Sequence, residues 1–202
     1  MARITRGFSG RGSARDPRLP PGQYDIGDAW PVLSAEATPR AGTADWTLSI
    51  DGLVERATTW NWEEIHSLPP ATYAGDIHCV TTWSKFGVTF SGVSLDVLFG
   101  ITGLLPGATH VLARSVTGYD TNLPLADVTG GRAFVVWEAG GKPLPAEHGG
   151  PARLLVPHLY FWKSAKWIAG IEVMDHDQPG FWEQNGYHDR GDPWLEQRYQ
   201  GD

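Results

Sequence analysis

Glycine and proline set the strongest limit on this chain. With 25 glycines and 15 prolines in 202 residues, a turn former or helix breaker falls about every five residues, which favours short strands and structured turns over long helices. The runs between the breakers agree. Trp46 to Gly52 alternates apolar and polar residues and stops at Asp51-Gly52, the pattern of a half-buried strand entering a turn. Ala71 to Val80 predicts a strand that delivers His78 and Cys79 to its end, followed by a loop from Thr81 to Gly87. His110–Arg114, Ala133–Trp137, Arg153–Val156 and Lys166–Val173 predict further strands. Two short helices complete the set: one capped by Asn61 with Glu64 three positions on, ending before Pro69, and one capped by Ser94 and stopped by Gly100. The fold class is therefore α+β, mixed and β-rich, with short helices and many loops.

Hydrophobic residues make up 41% and charged residues 19%, enough apolar material for one sizeable core. We divide the chain into an arm over residues 1–30, rich in Arg, Gly, Pro and Asp and expected to lie extended with frayed ends, and a single domain over 31–202. A net charge of -7 argues against a nucleic-acid partner, because phosphate binding needs a clustered basic surface. The arm carries Arg3, Arg6, Arg11, Arg15 and Arg18, but no apolar run follows them to form a signal peptide, and no segment approaches the roughly 20 apolar residues of a membrane span. A cytoplasmic location is the expectation. The ten tryptophans read equally well as a Trp-rich core or as the wall of a concave site.

Cys79 is the chain's lone cysteine, so no intrachain disulfide can form. In Asp76-Ile77-His78-Cys79-Val80-Thr81-Thr82-Trp83 it reads as a nucleophile, a metal ligand or buried filler. Zinc is disfavoured, since no Cys-x-x-Cys or His-x-x-x-His pair accompanies it. A second cluster gathers His148, Gly149, Gly150 and Arg153, then Lys163 and Lys166, a set suited to a phosphate-bearing ligand. Taken singly, each of those basic residues is more commonly a solvated surface charge. Asp175, His176, Asp177, His188 and Asp189 in the tail are too irregularly spaced for a second metal and read as loop residues.

Taken together, His78-Cys79-Val80-Thr81-Thr82-Trp83-Ser84, Phe90-Ser91-Gly92-Val93, Leu144-Pro145, Arg153-Leu154-Leu155-Val156-Pro157 and Lys163-Ser164-Ala165-Lys166-Trp167 resemble the sulfite oxidase family of molybdopterin-dependent oxidoreductases. The resemblance runs from near Pro31 to Met174, and Pro179-Gly180-Phe181-Trp182-Glu183 with Gly186-Tyr187-His188 is similar to a bacterial single-domain branch. It implies a mononuclear molybdenum on one molybdopterin, with Cys79 as the protein's metal ligand. It also implies cofactor contacts from His78, His148, Arg153, Ser164, Ala165 and Lys166, and a catalytic Tyr119 on the substrate side, with Trp83 and Arg114 shaping the pocket. The implied chemistry is oxygen-atom transfer with a small-molecule substrate and a separate electron-transfer protein of haem or flavin type.

Departures from the family pattern narrow this. Family members that act on sulfite carry an arginine-rich stretch after the cysteine, whereas this chain reads Val80-Thr81-Thr82-Trp83-Ser84-Lys85, so sulfite is not the expected substrate. The chain has no room for a haem domain or an immunoglobulin-like dimerisation domain, and the twin-arginine export signal of the methionine-sulfoxide reductase branch is not found in it. Two competing readings remain at this point. One is a non-catalytic module that binds the pterin and metal, and the other is a cysteine hydrolase.

Overall fold

The computed structural model describes residues 16–202, so Arg3, Arg6, Arg11 and Arg15, and the expectation of a frayed N-terminus, lie outside the described residues. In chain order the strands and helices are β1 (Tyr24–Asp25), β2 (Thr47–Gly52), β3 (Thr58–Asn61), α1 (Trp62–His66), β4 (Ala71–His78), β5 (Trp83–Ser94), α2 (Leu95–Thr102), β6 (His110–Ser115) and β7 (Asp120–Pro124). There follow α3 (Leu125–Val128), β8 (Phe134–Ala139), β9 (Lys142–Pro143), β10 (Arg153–Leu155), β11 (Ile168–Met174) and α4 (Phe181–Gln184). They form two sheets. One runs β1-β5-β8-β10, with β4 also paired to β5 and β9 to β8; the other runs β3-β2-β11-β6-β7. The expected mixed, β-rich α+β fold is what the chain adopts.

Side-chain alternation decides what each sheet covers. In β2, Leu48 and Ile50 are fully buried while Thr47, Ser49 and Asp51 are not, so this strand buries one face. They join Val111, Ala113, Leu123, Ile171 and Val173 of the same sheet in the main core. The first sheet supplies Val93, Val135 and Leu154 to that core, and its other face supplies Phe90, Val136 and Leu155 to a second, smaller cluster that includes Cys79 and Trp83. A sheet covered on both faces explains the consecutive apolar residues Phe134–Trp137 of β8 and Leu154-Leu155 of β10. Arm residues Ile26 and Trp30 pack on the second cluster.

Local signals set the helices. Asn61 accepts from the Glu64 amide at 2.9 Å while the Glu64 carboxylate accepts from the Asn61 amide at 2.8 Å, a complete capping box. Ser94 caps α2, which runs past Gly100 and stops at Gly103. The expected loop over Thr81–Gly87 is corrected: only Cys79–Thr82 turn, and β5 begins at Trp83. Pairing wins over local propensity there, because β4 lies along one side of the segment and β1 adds a short parallel strand on the other. β7, around Thr121 and Asn122, was not visible as a strand; it exists by pairing with β6. Among the described residues no helix is long and apolar enough to cross a membrane.

Candidate active site

Four segments distant in sequence meet around one cavity of about 320 Å³. Its wall takes Trp30, Pro31 and Leu33 to Glu36 from the end of the arm and the residues after it, Cys79 to Thr81 and Trp83 from the β4–β5 turn, His148 and Arg153 from either side of the Gly149 turn, and Phe161, Trp162, Ser164, Lys166 and Trp167 from the segment before β11. Tyr119, Trp182 and Tyr187 complete it. Gly149 is required where it stands. It sits at φ +107°, and a Cβ there would lie 3.0 Å from Arg153 Cβ and 3.1 Å from Lys166 Cβ.

Cys79 is 8% exposed, and its Sγ accepts from Thr81 Oγ1 at 3.2 Å. Burial pushes the thiol's pKa up, against the smaller opposing effect of that hydrogen bond. The neighbouring His78 ring is bonded through Nδ1 to Ser84 Oγ at 2.8 Å. A thiol raised in pKa, beside an imidazole occupied elsewhere, is poorly arranged for a cysteine hydrolase. It is well arranged as a soft ligand that a metal deprotonates on binding.

Arg153 is 1% exposed, yet its guanidinium donates only to backbone carbonyls: His148 O at 2.8 Å, Ser164 O at 2.6 Å and Leu154 O at 3.3 Å. Burial lowers its pKa to about 9. Lys166 Nζ likewise donates to carbonyls, Leu33 O at 2.7 Å and Glu147 O at 2.8 Å, and burial, then the Arg153 charge, lowers its pKa to about 8. His148 is brought down to about 4, by burial first and then by Lys166 and Arg153. Three basic groups therefore border one cavity and make no carboxylate ion pair among the described residues, an arrangement that favours an anionic ligand. The indole N–H of Trp83 is buried without a partner among the described residues. A thiol, uncompensated cations and an orphaned donor around one cavity fit a phosphate-bearing metal cofactor.

The remaining expectations divide. Ser164 lines the cavity, and its Oγ accepts from the Val156 amide at 2.9 Å. Tyr119 lines it too and donates to Trp162 O at 2.6 Å; burial raises its pKa well above the usual range. His78 and Ala165 stand just behind the wall, Ala165 at 1% exposure with its carbonyl accepting from Leu154. Lys163 is corrected. It is fully buried and paired with Glu183 at 2.6 Å, so its charge is already spent. Arg114 is corrected as well: it lies on β6, paired with Glu172 of β11, and is not part of the cavity wall.

Sequence reasoning missed Trp30, whose ring stacks on His148 with centroids 3.7 Å apart and 9° between planes. It also missed the wall formed by Trp162, Trp182 and Tyr187, in which the Tyr187 ring contacts Trp162 at 5.2 Å and Trp182 at 4.8 Å between centroids. Trp182 and Tyr187 stood in the tail motifs that resemble the single-domain branch, and the tryptophan count was the remaining signal.

Residues 35–182 match the family model described as the oxidoreductase molybdopterin binding domain. The chain belongs to that family. It is 39% identical to the oxidoreductase YuiH of Bacillus subtilis (strain 168) over 193 residues, covering 95% of this chain and 97% of that protein. It is 28% identical to the protein-methionine-sulfoxide reductase catalytic subunit MsrP of Gluconobacter oxydans (strain 621H), covering 68% of this chain but only 49% of that one. Its fold is similar to that of the sulfane dehydrogenase SoxCD from Paracoccus pantotrophus, with a TM-score of 0.64 at 23% identity over 69% of this chain and 41% of that one. The sulfite oxidase resemblance is borne out. The chain is a molybdopterin-dependent oxidoreductase, and its cofactor is molybdenum-molybdopterin.

Proposed function

We propose that residues 31–202 act as one catalytic domain that transfers an oxygen atom between a small molecule and molybdenum, and that a separate haem or flavin protein exchanges the electrons. The observation that carries this reading is the meeting, in one cavity, of the Cys79 thiol with Arg153, Lys166 and His148, none of which has a carboxylate partner among the described residues. The bound cofactor supplies the two-electron oxygen-atom exchange.

The chain's own residues do the rest. Cys79 presents its sulfur as metal ligand from a tight turn. Arg153 and Lys166 hold the pterin phosphate, the guanidinium as a planar fork and the ammonium as a point charge. Ser164 offers its hydroxyl beside them, while His78 and Ala165 act from behind, keeping the turn and the Arg153 strand in place. Tyr119 stays protonated because it is buried, and a substrate oxygen competes with Trp162 O for its hydrogen. Trp162, Trp182 and Tyr187 exclude water from that side. The only arginine in the cavity wall among the described residues is Arg153, here assigned to the cofactor, which favours a neutral substrate over sulfite. A lone cysteine free to bind metal suits a reducing compartment, and we place the protein in the cytoplasm.

The test is molybdenum and pterin per chain in wild type and Cys79→Ala. About one of each in wild type, with metal lost or strongly reduced in the variant, is the expected outcome. A Cys79→Ala protein that keeps its full metal content refutes the ligand assignment.

A further inference from the structure

The Cys79 turn is held from outside the family-matched segment. We propose that Gln23 and Arg198, one from each flank of the chain, are positioning residues that fix the carbonyls of this turn and thereby the place of the Cys79 sulfur. The inference rests on Cys79 being the metal ligand.

The turn has little hold on itself. Its internal bonds are Thr82 N to Cys79 O at 3.0 Å, Cys79 N to Trp83 O at 2.8 Å, Thr82 Oγ1 to Thr81 O at 2.6 Å and the long contact from Thr81 Oγ1 to Cys79 Sγ at 3.2 Å. Thr82 stands at φ +77°, a left-handed conformation that is strained for a β-branched residue. Such a conformation persists where the surroundings over-determine it, and here they do. Gln23, 8% exposed, donates from Nε2 to Cys79 O at 3.1 Å. Arg198 donates from Nη1 to Val80 O at 2.7 Å, and the Tyr24 amide donates to Thr82 O at 2.9 Å.

Arg198 also joins the flanks to each other. Its Nη2 donates to Pro21 O at 3.3 Å, and its guanidinium lies 5.0 Å over the Tyr160 ring. One planar fork thus bridges the turn and the arm, a geometry that a single ammonium cannot reproduce. Residues 21–24 and 198 both fall outside the matched span of 35–182, but within a chain whose 39% identity to YuiH extends over 193 residues. The domain core supplies the cysteine, and the flanks supply its orientation.

The experiment is the rate at which a maleimide labels Cys79 in the full chain, purified from a host unable to make molybdopterin. It compares wild type, Arg198→Met, Arg198→Lys, Gln23→Leu and, as a control far from the turn, Asn61→Ala. Arg198→Met is expected to label about tenfold faster or more, as follows from losing a hydrogen bond to a charged donor. Gln23→Leu, the gentler change, is expected to label severalfold faster, and Arg198→Lys to fall between wild type and Arg198→Met. Asn61→Ala lowers the melting temperature without changing the labelling rate. In the loaded enzyme, Arg198→Met is expected to shift the g-values of the Mo(V) electron paramagnetic resonance signal.

Wild-type labelling rates in both Arg198→Met and Gln23→Leu overturn the proposal, as does an equal acceleration by Asn61→Ala, which would report general loosening. The ligand assignment fails separately, through metal retention in Cys79→Ala.

Discussion

Neutralising one partner of the buried Lys163–Glu183 pair tests how the substrate side of the cavity is held. Both side chains are 0% exposed and stand 2.6 Å apart. Lys163 Nζ also donates to Asn122 O and Oδ1, each at 2.8 Å, and Glu183 Oε1 accepts from Trp162 Nε1 at 2.8 Å and from Thr121 Oγ1 at 3.3 Å. The pair therefore ties α4 and Trp162 to β7, and Trp162 is the residue whose carbonyl holds Tyr119. Glu183→Gln leaves an ammonium in the interior without its counter-charge, a change that costs about 3–5 kcal/mol. At about 2–4 °C per kcal/mol for a domain of this size, the melting temperature falls by about 6–20 °C. Lys163→Met carries a similar loss. The double variant buries no charge, so its loss falls well short of the sum of the singles. Thermal melts of the four proteins by circular dichroism measure this. Additive losses, or Glu183→Gln melting within about 2 °C of wild type, refute the reasoning that the pair is a compensated unit.

Two further predictions concern His148 and Gly92. His148 has its folded-state pKa depressed from 6.5 to about 4, so the unfolded chain binds one more proton between those values. Its contribution to stability is then fully present above pH 6.5 and is lost as pH falls towards 4, bounded above by about 3 kcal/mol. His148→Gln is expected to flatten the fall in melting temperature between pH 7 and pH 4.5, and an unchanged pH profile refutes the assignment. Gly92 lies at a register shift between β5 and β8, where a Cβ would stand 2.0 Å from Val135 O. Gly92→Ala must push one strand off the other, and we expect urea unfolding to show a loss of at least about 2 kcal/mol.

What could be read from the sequence was whatever is decided locally. Asn61 and Glu64 cap a helix whatever surrounds them, because the bonds close within four residues. Alternation in β2 marks its buried face because side chains on a strand must alternate. Cys79, His148, Arg153, Ser164 and Lys166 could be picked out because their residue types and neighbours carry the family pattern. Where residue type alone was read, the reading was looser: Lys163 and Lys166 are three positions apart in one basic cluster, yet one is spent on Glu183 inside the protein and the other reaches the cavity.

Only the tertiary structure decided which charges are free and which are paired, because the partner of Lys163 is 20 residues away and that of Lys166 is Leu33 O, 133 residues away. It also decided that Thr81–Gly87 is mostly strand, through pairing with β1 and β4, and that Trp30 stacks on His148. The hold of Gln23 and Arg198 on the Cys79 turn is of the same kind. Caps and alternation act over a few residues, whereas burial, ion pairing and strand edges depend on what the rest of the chain brings alongside.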